Sequence, residues 1–403
     1  MKKILIFSHA MEIGGAERAL LGLLETIDTT KYEVDLFLMR HEGELLKYIP
    51  EGIHLLPEIS QYTCLAVPFT NVIRKKQLGM AAGRIVAKWK AKRRVNELQL
   101  PRDNEVELEY SHKYTVPFVP QVSDICYDAA ISFLTPHYFV AQKVKAKMKI
   151  AWIHTDYANV TVDRESQLRM WDCYDRIASI SDDVTVSFLK LFPELRRKIV
   201  LLPNIIPSKL ILKMANEGTV QDEMPKDGSV SLLSVGRFCN AKNFDSVPAI
   251  CKTIRENGAN IKWYLIGYGN DEQLIRDRMI AEEMQEYVII LGKKANPYPY
   301  FKNCDLYIQP SRYEGKCVSV IEAQILNKPV IITNYSTAGS QLSDGEDGII
   351  VPRDIQGCAD GITAVIQNKV LQEKLIEQTE KRDYTNTDTI DCLYRLIESE
   401  NEN

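Results

Sequence analysis

The sequence predicts an α/β protein of two domains, each organised around a parallel sheet. Three observations lead there: the length, the alternation of strand-like with helix-like segments, and the fact that this alternation begins twice. At 403 residues the chain is about twice the size of a common domain. Short apolar runs, "KILIFS", "EVDLFLM", "DAAISF", "KIAWIH", "RIASIS" and "KIVLLP", recur between helical patterns in the first half. Strands covered by helices on both faces read as such continuous apolar runs, and their alternation with helices means parallel βαβ units. A second series starts at "SVSLLSVGR" and continues through "KWYLIG", "YVIILG", "DLYIQP", "KPVIIT" and "GIIVP".

The opening "MKKILIFSHA" pairs two lysines with an apolar run that ends at Phe7. That run is shorter than the ~7-residue core of a secretory leader, so it reads as a buried first strand. The stretch from about 60 to 122 is too long for one crossover and is expected to be an insertion of helices and loops. Within it "IRKKQLGMAAGRIVAKWKAKRRV", from Ile73 to Val95, carries nine cations, Arg74 to Arg94, and no acid. Basic helices of this kind seek anionic surfaces. Prolines, glycines and polar residues around 202–229 place the domain boundary near 206, giving domains 1–205 and 206–377. In the tail, 378–403, "IDCLYRLI" reads as a short amphipathic helix expected to cross back onto the first domain.

Composition narrows the function. With 45% hydrophobic and 26% charged residues there is material for two cores, and no apolar run reaches the ~20 residues of a membrane span. Nine cysteines without a C-x-x-C pair argue against a disulfide framework or structural zinc, and fit a reducing cytoplasm. The net charge of −4 gives no expectation of nucleic-acid binding. A nicotinamide dehydrogenase is disfavoured because G-x-G-x-x-G is absent.

Candidate site residues cluster where strands end. In "SHAMEIGGAERAL", Gly14 and Gly15 let backbone amides approach a phosphate or sugar at a helix start, although glycine serves packing in such turns as well. "SVGRFCNAKNFD" sets Arg237 and Lys242 just beyond a strand, where open α/β sheets bind ligands. Two cations there can neutralise a diphosphate leaving group, and no D-x-D tripeptide is present to hold a metal for that task. In "EGKCVSVIE", Glu314 and Glu322 stand up to ~12 Å apart along a helix axis, about the reach from a sugar across two phosphates to a ribose. Glu322 then accepts ribose hydroxyls and Glu314 those of the sugar, with Gly315, Lys316, Cys317 and Val318 at the helix N-terminus between them. The competing reading is Glu322 salt-bridged on a helix surface. His9, Asp156 and Ser181 are candidates to line a cleft, while His41, His54, His112 and His137 read as structural or surface residues.

"GGAERAL", "WIHTD", "VGRFCNAKNFD", "IGYGND" and the E-x7-E of "EGKCVSVIE" together resemble the retaining glycosyltransferases of family 4, with the GT-B fold. The resemblance implies two Rossmann-like domains facing a cleft and sugar transfer from a nucleotide-diphosphate sugar, UDP by prevalence, with retention of anomeric configuration and no metal cofactor. It implies His154 near the donor sugar, Gly267, Gly292 and Lys293 around the base, and Arg237, Lys242 and the helix amides on the leaving diphosphate. Its acceptor is a saccharide or lipid-linked glycan of a cell-surface polysaccharide, met by a peripheral enzyme on the cytoplasmic leaflet. Two alternatives share the fold: a nucleotide-sugar 2-epimerase, and a nucleotide-sugar-binding module without activity.

Overall fold

The computed structural model describes residues 1–101, 104–314 and 316–398. The chain forms two compact units, Met1–Pro207 together with the stretch from Asn386 on, and Ser208–Thr385.

Among the described residues the first unit holds seven parallel strands: β1 (Lys2–Ser8), β2 (Tyr32–Leu38), β3 (Ile53–Leu55), β4 (Cys126–Ser132), β5 (Lys145–Ile153), β6 (Arg176–Ser179) and β7 (Ile199–Leu201). Their order is β3-β2-β1-β4-β5-β6-β7, so the winding reverses between β1 and β4. β1 is central, pairing Ile4 with Val34 on one side and with Ala129 on the other. Ile4, Leu5, Ile6 and Phe7 are all 0% exposed, as a strand covered on both faces requires. Every strand run quoted from the first half forms a strand. The extra one, β3, escapes the sequence reading because it is three residues on the sheet edge.

The expected insertion is helical: Ser60–Thr63, Phe69–Arg74, Leu78–Glu97 and Val106–Thr115 all precede β4. It is cored into its unit. Tyr62 packs edge-on against Phe37 and Phe139, at 5.1 and 4.8 Å between ring centroids. The two longer helices close on each other around Ala87, Ala91, Val106 and Tyr110.

The second unit's strands are β8 (Val230–Val235), β9 (Ile261–Ile266), β10 (Val288–Gly292), β11 (Leu306–Gln309), β12 (Val330–Thr333) and β13 (Ile349–Val351), in the order β10-β9-β8-β11-β12-β13. All pair in parallel, and the winding reverses between β8 and β11. In a doubly wound sheet this reversal opens a crevice beyond the carboxyl ends of the two strands, where ligands bind.

The tail differs from expectation in where it returns. Helix Lys369–Glu380 stays with the second unit, and the chain rejoins the first only from Asn386. The returning helix Thr389–Glu398 is anchored by Tyr394 stacked on Tyr32 at 4.6 Å, by the Asp28 amide donating to the Tyr394 hydroxyl, and by Lys2 Nζ donating to the Ile397 carbonyl. Among the described residues no helix is long and apolar enough to cross a membrane.

Candidate functional site

The loops after β8 and β11 meet at the switch point of the second sheet. Lys242 Nζ, from the first loop, donates to Glu314 Oε1 at 2.6 Å and lies 3.6 Å from Cys317 Sγ. Burial alone lowers an ammonium's pKa, but the Cys317 and Glu314 partners outweigh it and hold Lys242 above its ordinary value. Burial pushes the Cys317 thiol up to about 11, so it stays protonated at neutral pH.

Glu314 is fixed by more than the lysine. The Ser311 hydroxyl donates to Oε1 at 2.6 Å, Gln309 Nε2 donates to Ser311 Oγ at 2.8 Å, and the Tyr307 hydroxyl donates to Gln309 Oε1 at 2.6 Å. Tyr307, Gln309 and Ser311 are each 0% exposed. The chain of bonds therefore runs from the sheet core to the carboxylate, in surroundings where satisfied polar networks are rigid. The Thr337 hydroxyl adds a bond to the Glu314 carbonyl at 2.8 Å.

The β8 loop is braced against the same segment. Arg312 grips Asp245 with two parallel bonds of 2.9 and 2.7 Å, and its Nη1 also donates to the Asn240 carbonyl. Asn243 turns the loop through a left-handed conformation, φ 58°, and donates to the Pro310 carbonyl at 2.9 Å. Gly267, φ 154°, permits the next strand's loop to lie against this one, since a Cβ there falls 1.8 Å from the Gly236 carbonyl oxygen. Arg237 is exposed and makes no hydrogen bond or ion pair among the described residues.

Two expectations change here. Glu322 is not salt-bridged on a helix surface: it is 0% exposed, and the Tyr298 hydroxyl donates to its Oε1 at 2.8 Å. The helix Val318–Ile325 does begin after Cys317, but the Cys317 amide donates to Gln341 Oε1 at 2.7 Å, while Gln341 Nε2 returns a bond to the Cys317 carbonyl. That amide is taken, so the anion site expected at this helix start is partly occupied by the protein itself. Val318 is half-buried and Lys316 exposed, while Gly315 lies outside the described residues. Gly292 has φ 71°, and Lys293 Nζ sits 5.5 Å over the exposed Tyr268 ring.

In the first unit, Gly14 precedes the helix Gly15–Thr26, and a Cβ on it would fall 2.1 Å from the Glu17 carboxylate. An acid of the protein thus already faces this helix start, and burial raises its pKa. His154 follows β5 and packs 4.6 Å from the Phe133 ring. Its Nε2 is buried without a hydrogen-bond partner among the described residues. Burial lowers the His154 pKa to about 4. His9 follows β1, its pKa likewise lowered by burial. Ser181 caps the helix Asp182–Leu191 and Asp156 the short 3-10 helix Tyr157–Asn159, accepting from the Val184 and Ala158 amides. His41 and His54 bond to the Leu56 carbonyl and to Asp35. His112 and His137 are 7% and 9% exposed and line a cavity, which reading them singly could not reveal. Among the described residues no three His, Cys, Asp or Glu side chains converge as metal ligands.

The reading of motifs missed Ser311, Gln309, Arg312, Asp245 and Gln341. Ser311 and Arg312 stand in the segment leading to "EGKCVSVIE" and Asp245 ends "AKNFD", so adjacency to a motif was their signal. Gln341 had none.

Known proteins bear on these observations. Residues 219–382 match the family of glycosyl transferases group 1. CapM, a capsular polysaccharide biosynthesis glycosyltransferase of Staphylococcus aureus, is 29% identical over 150 residues, 37% of this chain and 40% of its own. An uncharacterized glycosyltransferase of Methanocaldococcus jannaschii is 26% identical over 153 residues, 38% of this chain and 37% of its own. The matches therefore span about two fifths of these relatives. Two solved structures share the fold across the chain at 12% identity: TarM of S. aureus, in complex with fondaparinux, alpha-GlcNAc-glycerol and UDP, and HepE of Anabaena, in complex with UDP and glucose. Their TM-scores are 0.67 and 0.66, and each covers 99% of this chain and 100% of the other.

Proposed function

With residues 219–382 in the glycosyl transferases group 1 family and both parallel sheets matching a GT-B fold, we propose that the protein is a retaining glycosyltransferase. It moves a sugar from a nucleotide-diphosphate sugar, UDP-linked, onto a saccharide or lipid-linked acceptor in surface-polysaccharide synthesis, without a metal cofactor. The observation that carries the reading is the Lys242–Glu314 pair at the switch point, held by the buried Tyr307–Gln309–Ser311 chain. CapM's role supports the polysaccharide context, and the UDP complexes of TarM and HepE support the nucleotide.

In this mechanism Lys242 and Arg237 oppose the charge that grows on the leaving diphosphate. A preorganised donor of this kind contributes ~3 kcal/mol to the transition state. Lys242 has three N–H donors, so its bonds to Glu314 and Cys317 still leave one for a phosphate oxygen. Glu314, fixed from behind by Ser311, accepts sugar hydroxyls. Glu322 is assigned to the ribose side, since a wholly buried carboxylate is too costly to keep as core filling. The leaving phosphate itself takes the acceptor's proton, and retention follows from attack on the face the leaving group departs from.

Peripheral membrane attachment belongs to the same proposal. On helix Leu78–Glu97, Leu78, Ile85 and Trp89 are 71%, 59% and 58% exposed, opposite the buried Met80, Ala87 and Ala91. Lys88, Lys90 and Lys92 flank them and are exposed. This apolar stripe between cations fits an anionic leaflet. The whole segment Arg74–Arg94 does not contribute equally: Arg84 donates to the Cys64 and Val67 carbonyls, Arg93 pairs with Glu97, and Arg94 pairs with Asp163 and Glu165.

Incubation with a panel of UDP-sugars and a lipid-linked glycan tests the reading. Free UDP with a glycosylated acceptor whose new glycosidic bond keeps the donor's anomeric configuration, insensitive to EDTA, is expected. Isomerised donor, or donor binding without turnover, overturns it.

A further inference from the structure

A cavity of about 190 Å³ lies in the first unit beside the residues that follow β4 and β5. One wall belongs to helix Val106–Thr115, the inserted element, which contributes Glu109 and His112. Opposite stand His137, Tyr138, Tyr157 and Trp171.

Glu109 is the feature that asks for a ligand. It is 6% exposed, and its Oε1 accepts from the Tyr138 hydroxyl at 2.8 Å, but its Oε2 is buried with no hydrogen-bond partner among the described residues. An unmet carboxyl oxygen in the interior is destabilising unless a donor reaches it. The nearby cation does not fill this role: Lys113 Nζ donates to Ser166 Oγ at 2.7 Å and makes no bond to Glu109 among the described residues. The remaining polar wall holds a second carboxyl group, Glu105, and two imidazoles that burial keeps neutral, His112 and His137 at a pKa of about 3; His137 Nδ1 is bonded to Ser132 Oγ at 2.8 Å, which leaves its Nε2 for a ligand. The aromatic side chains add flat apolar surface. Two carboxyl groups, neutral imidazole nitrogens and flat rings match a polyhydroxylated ring, whose hydroxyls donate and accept while its C–H faces pack on aromatics.

We propose that this cavity is a subsite for a single saccharide ring, with Glu109 receiving hydroxyl donors on the Oε2 side. The choice of a sugar among hydroxylated rings rests on the transferase reading, and the subsite supplies acceptor selectivity from an element the chain has inserted.

The test uses the full chain with two separate probes. Saturation-transfer NMR with methyl α-glycosides of glucose, galactose and N-acetylglucosamine reads the cavity, and titration with UDP reads the second unit. At least one glycoside is expected to bind the native protein and to bind Glu109→Gln at least tenfold more weakly, with UDP affinity unchanged. Glu109→Gln keeps an acceptor for Tyr138, and an unaltered melting temperature establishes that it folds; Glu109→Ala provides a second variant. UDP binding without any glycoside signal, or equal glycoside signals in native and variant proteins, overturns the subsite. Glu109-dependent glycoside binding in a protein that ignores UDP upholds the subsite and overturns the donor reading instead.

Discussion

Lys242 and Glu314, 72 residues apart in the chain, meet at 2.6 Å and so tie the loop after β8 to the loop after β11. Their side chains are 17% and 11% exposed, so removing either partner strands a charge where water reaches it poorly. Lys242→Met and Glu314→Gln are each expected to lower stability by ~3 kcal/mol and to reduce transfer at least a hundredfold. The double variant is expected to recover most of the stability and none of the activity. Denaturant midpoints and initial rates check both parts, and additive stability losses would show that the two side chains are not coupled.

Arg312 and Asp245 hold the β8 loop from the other side with two parallel bonds. Despite burial, which works against the carboxylate, Arg312 keeps the Asp245 pKa below its ordinary value. Asp245→Ala releases the loop that carries Lys242 without touching the substrate. A severalfold loss of turnover is expected, with a stability loss of ~1–3 kcal/mol from a charge-assisted pair. Arg312→Lys, which cannot make the planar fork, is expected to lose nearly as much as Asp245→Ala. A wild-type rate in Asp245→Ala would leave the brace without a catalytic consequence.

These two pairs also show what the sequence could and could not disclose. The parallel strands were legible because burial on both faces writes a continuous apolar run, as Ile4 to Phe7 does; β3 was not, being three residues at an edge with His54 exposed. Lys242 and Glu314 were legible as residue types beyond strand ends, but their bond to each other is a product of sheet order, which no local spacing encodes. The basic helix announced itself by charge. That Arg94 is committed to Asp163, 69 residues away, could be seen only once the chain was folded. Likewise His112 and His137, unremarkable singly, acquire meaning from the cavity they share with Glu109.

Two buried histidines, His112 and His137, and the partly buried His154 make the first unit acid-sensitive. Burial lowers His112 and His137 to about 3 and His154 to about 4, from an ordinary 6.5. Because the unfolded chain takes up these protons more readily than the folded one, their contribution is fully present above pH 6.5 and is lost as the pH falls toward the folded values. Between pH 7.5 and 5.5 the three together are expected to remove ~4 kcal/mol. Burial raises the Glu109 pKa, which has the opposite sign and offsets part of this near the carboxylate range. Denaturant unfolding at the two pH values gives the loss, and His112→Gln is expected to reduce it by about a third. A flat profile would mean that these histidines are hydrated when folded.

For the basic helix the relevant cations are those left exposed. Replacing Lys88, Lys90 and Lys92 with glutamine is expected to weaken binding to anionic vesicles by ~100-fold, at ~1 kcal/mol per cation. Trp89→Ala is expected to weaken it further on neutral and anionic lipid alike. Arg94→Ala behaves differently: it leaves Asp163, whose side chain is 3% exposed, without its arginine, and so costs stability. Co-sedimentation with vesicles of defined composition distinguishes these effects. Equal pelleting of the native protein and the triple variant would assign the stripe to another contact.

Glu322 and His154 offer the sharpest contrast, because the proposed mechanism puts Glu322 on the ribose side and the family resemblance implies His154 near the donor sugar. Glu322→Gln keeps the shape and the acceptor that Tyr298 requires, but removes the charge that makes a hydrogen bond worth ~1.5–3 kcal/mol. Nucleotide affinity is therefore expected to fall at least tenfold in a protein that still folds. Tyr298→Phe, which takes away only the hydroxyl at 2.8 Å, is expected to produce a smaller change of the same sign. His154→Ala is expected to leave UDP affinity intact and abolish transfer, since the family resemblance implies a role with the sugar rather than the nucleotide. Calorimetric titration with UDP, beside transfer rates for the same three variants, separates the two ends. Unchanged UDP affinity in folded Glu322→Gln would reduce that carboxylate to a structural partner of Tyr298, and near-normal transfer by His154→Ala would remove the histidine from the mechanism.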